Sequence, residues 1–394
     1  MAKGFWQGRG VRIVLAALVV MVLLHLLLSR NSSPPPPAMP VADERVAYQN
    51  QWDLKSAPAP TVLEPQAPGP RAKACFVVLV RNREIHDLRK SMREIEDRFN
   101  RKYNYPYVFL NDKPFTDEFK TLAQTMTKAN TTFGQIPQEH WGYPPWIDVN
   151  EAAKTRIKMK HVIYGSNEAY RHMCRYQSGF FFRHPLLAEY DYYWRIEPGV
   201  KFFCDIDYDP FLLMQERKIK YGFTISIHEI KETIPTLWDT TKQYMREQPS
   251  MVSHPNLLEW ITNDKGKTYN RCHFWSNFEI GDLNWLRSPQ YLSYFNHLDQ
   301  AGGFFYERWG DAPVHSMAVA MFLKKEEVHW FDDIGYFHAP AQNCPLDPEI
   351  NTNKCHCNPK DSVYHSSWSC TKEFVNLNPN TDLTLAELLA DDAH

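Results

Sequence analysis

The apolar and polar positions divide the chain into three regions. Ile13 to Leu28 is an apolar run broken only by His25, with Lys3, Arg9 and Arg12 before it and Arg30 after it. At about 1.5 Å per residue, such a helix crosses a hydrocarbon core of roughly 30 Å. The excess of positive charge ahead of the run places a tail, residues 1–12, in the cytosol, and 13–29 as an uncleaved anchor. A cleaved signal peptide is the competing reading, but Arg30-Asn31-Ser32-Ser33 leads into Pro34 to Pro37 and not into a small-residue cleavage site. Residues 30–72 are rich in Pro and Ala, cannot bury a core, and read as an extended stem. From 73 to 394 aromatic and aliphatic segments return, enough for one large domain.

Within that domain, Ala74 to Val80 is continuously apolar between Lys73 and Arg81, the pattern of a strand buried on both faces. Leu88, Met92, Ile95 and Phe99 then recur at helical spacing, and Tyr107 to Leu110 resumes strand character. Strand, helix, strand predicts a crossover unit of an α/β sheet, with ligands at the carboxyl ends of its strands, near Arg81-Asn82 and Asn111-Asp112. Tyr192 to Ile196 predicts a further strand that runs into a tight turn, Glu197-Pro198-Gly199-Val200, and presents Glu197 at the strand end.

Composition narrows the function classes. A net charge of -2 and the lack of a basic, aromatic-interleaved stripe argue against nucleic acid as a partner. Neither G-x-G-x-x-G nor G-x-x-x-x-G-K-[ST] occurs, so no dinucleotide cofactor or ATP is indicated, and a nucleotide sugar held by a metal stays open. The eight cysteines are an even set suited to disulfides in an oxidising lumen, with pairing left open. Cys355-His356-Cys357 lacks a second ligand pair and is read as disulfide-forming, not metal-binding. Asn130-Thr131-Thr132 is a glycosylation sequon.

Transfer from a nucleotide sugar needs a cation for the departing diphosphate and a carboxylate near the anomeric carbon. Three separated motifs offer this chemistry: Glu197 in Arg195-Ile196-Glu197-Pro198-Gly199-Val200, Glu279 in Trp275-Ser276-Asn277-Phe278-Glu279-Ile280-Gly281-Asp282, and His338 in Asp333-Ile334-Gly335-Tyr336-Phe337-His338. The triplets Asp205/Asp207 and Asp207/Asp209 are an alternative metal site, though acidic loops are commonly just solvated. Without context, Glu279 is a half-buried strand residue and His338 a hydrogen-bonded core histidine. Asp311 could cap a helix begun by Ala312-Pro313. The tryptophans receive no individual role.

At these motifs, and at Tyr170 to Tyr176, Tyr193 to Asp205 and Tyr306 to Ser316, the sequence resembles the fungal Golgi α-1,2-mannosyltransferases, the yeast-type family that extends mannose chains on N- and O-glycans and mannoproteins. The resemblance covers Ala74 to Cys344 or beyond. It implies a GT-A-like fold, a Rossmann-like mixed sheet flanked by helices, with GDP-mannose as donor, Mn²⁺ as cofactor and retention of configuration. It implies His338 and Glu197 at the metal, Glu279 as the catalytic carboxylate, and Arg81, Tyr170, Arg195, Glu197 and Asp311 around donor and acceptor. It also implies a mannose-bearing glycan acceptor and a single-pass type II Golgi protein with its catalytic domain in the lumen. Many family members carry an acidic residue where this chain has Gly199; the glycine would allow close backbone approach to a phosphate. The resemblance argues against Asp205, Asp207 and Asp209 as the metal site. Alternatives that stay open are a transferase using another nucleotide sugar or attaching mannosyl phosphate, and a glycan-binding protein without turnover.

Overall fold

The computed structural model describes residues 69–378 and 383–389. The predicted anchor and most of the stem lie outside the described residues, among which no helix is long and apolar enough to cross a membrane.

Among the described residues, twelve strands form three sheets. They are β1 (Ala74–Leu79), β2 (Tyr107–Asn111), β3 (Thr131–Gln135), β4 (Tyr192–Arg195), β5 (Lys201–Phe202), β6 (Tyr221–Phe223), β7 (Ser226–His228), β8 (Cys272–Phe274), β9 (Ile280–Asp282), β10 (Val328–Trp330), β11 (Tyr336–His338) and β12 (Ala341–Asn343). The large sheet has the order β10-β6-β9-β4-β1-β2-β3. All its neighbouring pairs are parallel except the two made by β9, which runs against β4 and β6. The expected crossover is present: β1 and β2 are parallel, joined through α1 (Ile85–Ile95).

The continuous apolar run of β1 follows from burial on both faces. Phe76 and Val78 enter one core layer with Leu88, Met92 and Ile95 of α1, and Cys75 and Val77 enter the opposite layer. The second layer is built on α2 (Glu168–Gly179), α3 (Leu237–Glu247), α4 (Pro289–Ala301) and α5 (Asp311–Phe322). Helix α1 buries Ile85, Leu88, Met92 and Ile95, and Phe99 stays buried in the wider turn that follows. Helix α5 is buried along almost its whole length. Its start differs from expectation: the helix begins at Asp311 after Gly310, and Asp311 caps nothing, because its carboxylate is drawn to Arg195 and Ser276.

A small antiparallel sheet, β12-β11-β5, sets Tyr336 beside Phe202 and Phe337 beside Lys201. This pairing carries His338, at the end of β11, to the turn between β4 and β5. Disulfides join Cys204 to Cys355, Cys344 to Cys357 and Cys272 to Cys370. Cys355 and Cys357 are thus cross-linked as read from the sequence. The even count does not mean full pairing, since Cys75 and Cys174 are free thiols inside the apolar core. Asn130 of the sequon is exposed beside the edge strand β3.

Candidate active site

A cleft of about 280 Å³ opens at the carboxyl ends of β1, β2 and β4. Arg81 lines it just after β1, Asn111 and Asp112 at the end of β2, Arg195 and Glu197 at the end of β4, and Tyr170 from the first turn of α2. Asn167 starts α2 by accepting the Tyr170 backbone N–H at 3.1 Å, which aims that turn at the cleft. The Tyr170 ring stacks on Tyr164 at 4.5 Å, and its hydroxyl accepts from Arg308 at 3.1 Å. Arg308 is itself paired with Glu229 at 3.3 Å. The Arg81 guanidinium lies 3.8 Å from Glu84, a loose contact for a cleft-lining cation.

Arg195 organises the strand-end turn. Its guanidinium is nearly buried, donates to Asp311 at 2.6 Å, and grips Glu197 with its other terminal nitrogen. Ser276 donates to the same Asp311 oxygen at 2.7 Å. The second Glu197 oxygen faces His338 Nε2 at 3.5 Å. His338 Nδ1 faces the Ala339 carbonyl at 3.1 Å, so both ring nitrogens face acceptors, and Nε2 offers a lone pair to a metal only once it has given up its proton. The Trp275 ring packs edge-on against His338 at 5.0 Å. Burial opposes the charge on Glu197, but Arg195 and His338 outweigh it and hold its carboxyl at about 2. Burial likewise opposes ionisation of Asp311, and Arg195 with His315 pulls its carboxyl down. His338 is pushed up by Glu197 against the effect of burial.

Glu279 lies one layer below. It immediately precedes β9, and because β9 runs against β4, this residue sits at the same sheet edge as Arg195, whose N–H donates to its carbonyl at 2.9 Å. Tyr193 of β4 and Tyr221 of β6 both pair with Gly281. A Cβ on Gly281 would lie 2.5 Å from the Tyr193 ring, so glycine is what lets that ring close over the strand. Tyr193 donates to Glu279 at 2.7 Å and Tyr221 at 2.8 Å. The third donor is His315 of α5, at 2.6 Å. Its other ring nitrogen faces the Gln177 carbonyl at 3.1 Å. Both neighbours of this imidazole are acceptors, an arrangement that favours its doubly protonated form. Burial works against that charge, yet Glu279 raises the His315 pKa. Both side chains of the pair are 1% exposed.

The sequence profile of the glycolipid 2-alpha-mannosyltransferase family matches residues 40–379. The chain belongs to this family. It is 54% identical over 318 residues to the alpha-1,2 mannosyltransferase KTR1 of Saccharomyces cerevisiae, covering 80% of this chain and 81% of that one. It is also 54% identical to glycolipid 2-alpha-mannosyltransferase 2 of Candida albicans, over 77% of this chain and 67% of the relative. The crystal structure of core-mannan synthase A of Aspergillus fumigatus, a Mn/GDP form, superposes with a TM-score of 0.74 at 44% identity, covering 79% of this chain and 86% of that one. The mannosyltransferase Ktr4p of Saccharomyces cerevisiae in complex with GDP gives 0.75 at 37% identity, over 81% and 84%.

In this family member, Arg81, Tyr170, Arg195 and Glu197 share the cleft, and Asp311 and His338 are tied to it through Arg195 and Glu197. Glu279 does not line the cleft. Asp205 pairs with Arg98, Asp207 with Lys102 and Lys354, and Asp209 caps the helix Pro210–Arg217. These aspartates therefore shape the loop, as the resemblance implied. The Gly199 N–H is already used, donating to Ser91 at 2.9 Å, and its φ of 90° is what the turn needs from glycine. His315, Tyr193, Tyr221 and Ser276 were not singled out from the sequence. His315 lay inside a matching motif, but only the fold shows that it faces Glu279. Among the described residues, one triplet of metal-ligating types converges, His228, Cys272 and Cys370; its two sulfurs are joined in a disulfide and are no ligands.

Proposed function

We infer that the protein is a GDP-mannose-dependent α-1,2-mannosyltransferase that passes mannose, with retention, to the 2-hydroxyl of a mannose on an N- or O-linked glycan. The observation that carries this reading is the convergence of Glu197 and His338 at the carboxyl end of β4, beside a cleft lined by Arg81 and Tyr170.

The donor set fits Mn²⁺. A carboxylate oxygen and an imidazole nitrogen face each other across 3.5 Å, a mixed O/N pair suited to a borderline divalent ion. Charge agrees: the carboxylates of Glu197, Asp311 and Glu279 face two cations, Arg195 and His315, which leaves a negative surplus while His338 is neutral. Glu197 and His338 would hold the ion, which supplies positive charge to the departing diphosphate. Arg195 fixes the Glu197 carboxylate, and Asp311 with Ser276 fixes Arg195. Arg81 stands where β1 ends and offers its guanidinium to donor phosphates; Tyr170 gives the sugars an aromatic wall.

Glu279 provides negative charge beneath the sugar as its anomeric carbon becomes cationic. Three donors hold the carboxylate, and His315 gives it a buried counter-charge, so we assign it to electrostatic support and not to attack on the sugar. The bond from C1 to the GDP phosphate oxygen then breaks, the acceptor oxygen bonds to C1 on the same face, and the acceptor's hydroxyl proton passes to the departing phosphate oxygen. The apolar run at 13–29 and the Pro-rich stem support a reading in which this domain works on the lumenal side of a Golgi membrane.

The test is transfer of labelled mannose from GDP-mannose to α-methyl-mannoside, with and without EDTA, and NMR of the product. Transfer that EDTA abolishes and Mn²⁺ restores, giving an α-1,2 linkage, is expected; absence of transfer from GDP-mannose refutes the reading. In the same assay Glu279→Gln should lower kcat by roughly 10²-fold without an adduct at this position in the wild type. A trapped mannosyl ester on Glu279 would overturn the electrostatic role.

A further inference from the structure

We propose that the depression between the turn after His338 and the loop carrying Trp368 binds the acceptor glycan beyond the sugar that receives mannose, so that the neighbouring pyranoses of an oligomannoside lie on Trp368. This deepens, and rests on, the mannosyltransferase reading above.

The depression has a volume of about 340 Å³ and is walled by Pro340, Gln342, Lys360, Asp361, His365 and Trp368. Pro340 is two residues beyond His338, so the depression starts at the end of β11, beside the residue facing Glu197. The path on the other side is also short. Trp275, packed on His338, donates its backbone N–H to Ile225 at 2.9 Å; Ile225 directly precedes β7, and Ile227 of β7 bridges to Ser369, the neighbour of Trp368.

Trp368 is 50% exposed, more than any other tryptophan among the described residues. Its backbone is nevertheless fixed. The Trp368 carbonyl accepts the His228 N–H at 3.0 Å, its own N–H donates to Ser366 at 3.1 Å, and Cys370 two residues on is cross-linked to Cys272. The backbone is thus held while half of the indole is open to water beside the depression, where its apolar face is available to a ligand. Around it, Lys360 and Asp361 engage Asn358 only through their backbone N–H groups. Their side chains, and that of Gln342, make no hydrogen bond among the described residues.

This combination selects the ligand. A pyranose has an apolar C–H face, which an indole covers, and a rim of hydroxyls, each both donor and acceptor, which an amide, an ammonium and a carboxylate can meet. Lys360 and Asp361 balance in charge, so the site suits a neutral polyol and not a phosphate or an acidic peptide.

The test uses the full chain in detergent, with α-methyl-mannoside and a linear α-1,2-mannotriose as acceptors. Trp368→Ala should leave kcat and KM for α-methyl-mannoside unchanged and raise KM for the triose on the order of tenfold. Trp368→Phe should restore most of the triose affinity, and Gln342→Ala should raise the triose KM alone by a smaller factor. Saturation-transfer NMR without GDP-mannose should show triose bound to the wild type and lost in Trp368→Ala. The proposal is overturned if both acceptors change in parallel, or if the variant binds triose as the wild type does. Should Trp368→Ala melt early, Gln342→Ala decides by the same comparison. A wild type that transfers nothing refutes the function above, while the binding measurement still decides this site.

Discussion

Removing the Asp311 carboxylate tests whether one buried charge network positions the site. In Asp311→Ala, Arg195 loses a partner at 2.6 Å and Ser276 loses its acceptor at 2.7 Å, while the guanidinium stays in place with side-chain exposure of 7%. Glu197 remains as a counter-charge, but at 26% exposed it is the more solvated partner and compensates less. Breaking a buried pair from one side costs about 3–5 kcal/mol, because a desolvated charge is left behind. For a domain of this size that lowers the melting temperature by roughly 5–8 °C. Asp311→Asn keeps a hydrogen-bond acceptor of the same shape and loses only the charge assistance, so about 1–2 kcal/mol is expected. Because Arg195 orients Glu197, kcat/KM should fall on the order of 10²-fold in Asp311→Ala even at a temperature where the variant is folded. Differential scanning calorimetry of the two variants beside the wild type, with transfer kinetics on the same samples, reads both effects. An Asp311→Ala protein melting within about 2 °C of the wild type, or one as destabilised as Asp311→Asn, would refute the reasoning.

Two further outcomes follow from the same turn. Glu197, held at about 2, contributes stability that is complete above the ordinary carboxyl range and is lost as pH falls toward that value; His338, raised by Glu197, contributes below the ordinary histidine value of about 6.5 and loses this as pH rises through its own raised pKa. A proton on Nε2 excludes a metal, so the Mn²⁺ concentration giving half-maximal transfer should climb as pH is lowered through the His338 pKa. In His338→Ala that dependence should vanish and more Mn²⁺ should be needed throughout; an unchanged midpoint would remove His338 from the metal site. Gly199→Ala should cost about 1–2 kcal/mol from left-handed strain alone, read by thermal unfolding, since nothing stands within 4 Å of the added Cβ. Wild-type stability in that variant would show that the turn relaxes.

Much of this site was legible because the fold concentrates it at strand ends. Glu197 could be placed by the apolar run Tyr192 to Ile196 and the Pro-Gly turn behind it, and Arg81 by the end of the first apolar run. Asp205, Asp207 and Asp209 look like metal ligands in a linear reading because charge spacing is all that a linear reading sees. In space their partners are Arg98, Lys102, Lys354 and a helix N-terminus, some of them more than a hundred residues away. Asp311 misled in a similar way: a local cap was available, but the buried Arg195 offered a stronger partner.

What the residues determined by themselves was periodic or local: the two-faced burial of β1, the amphipathic face of α1, the turn at Gly199 and the chemistry of three separated motifs. The tertiary structure decided which groups meet. The reversal of β9 between β4 and β6 set Glu279 under Tyr193, Tyr221 and His315, and the pairing of β11 with β5 brought His338 to Glu197. Neither outcome is visible locally, because strand direction and sheet order arise from long-range pairing, and hydrogen bonds across a sheet join residues that no periodicity relates.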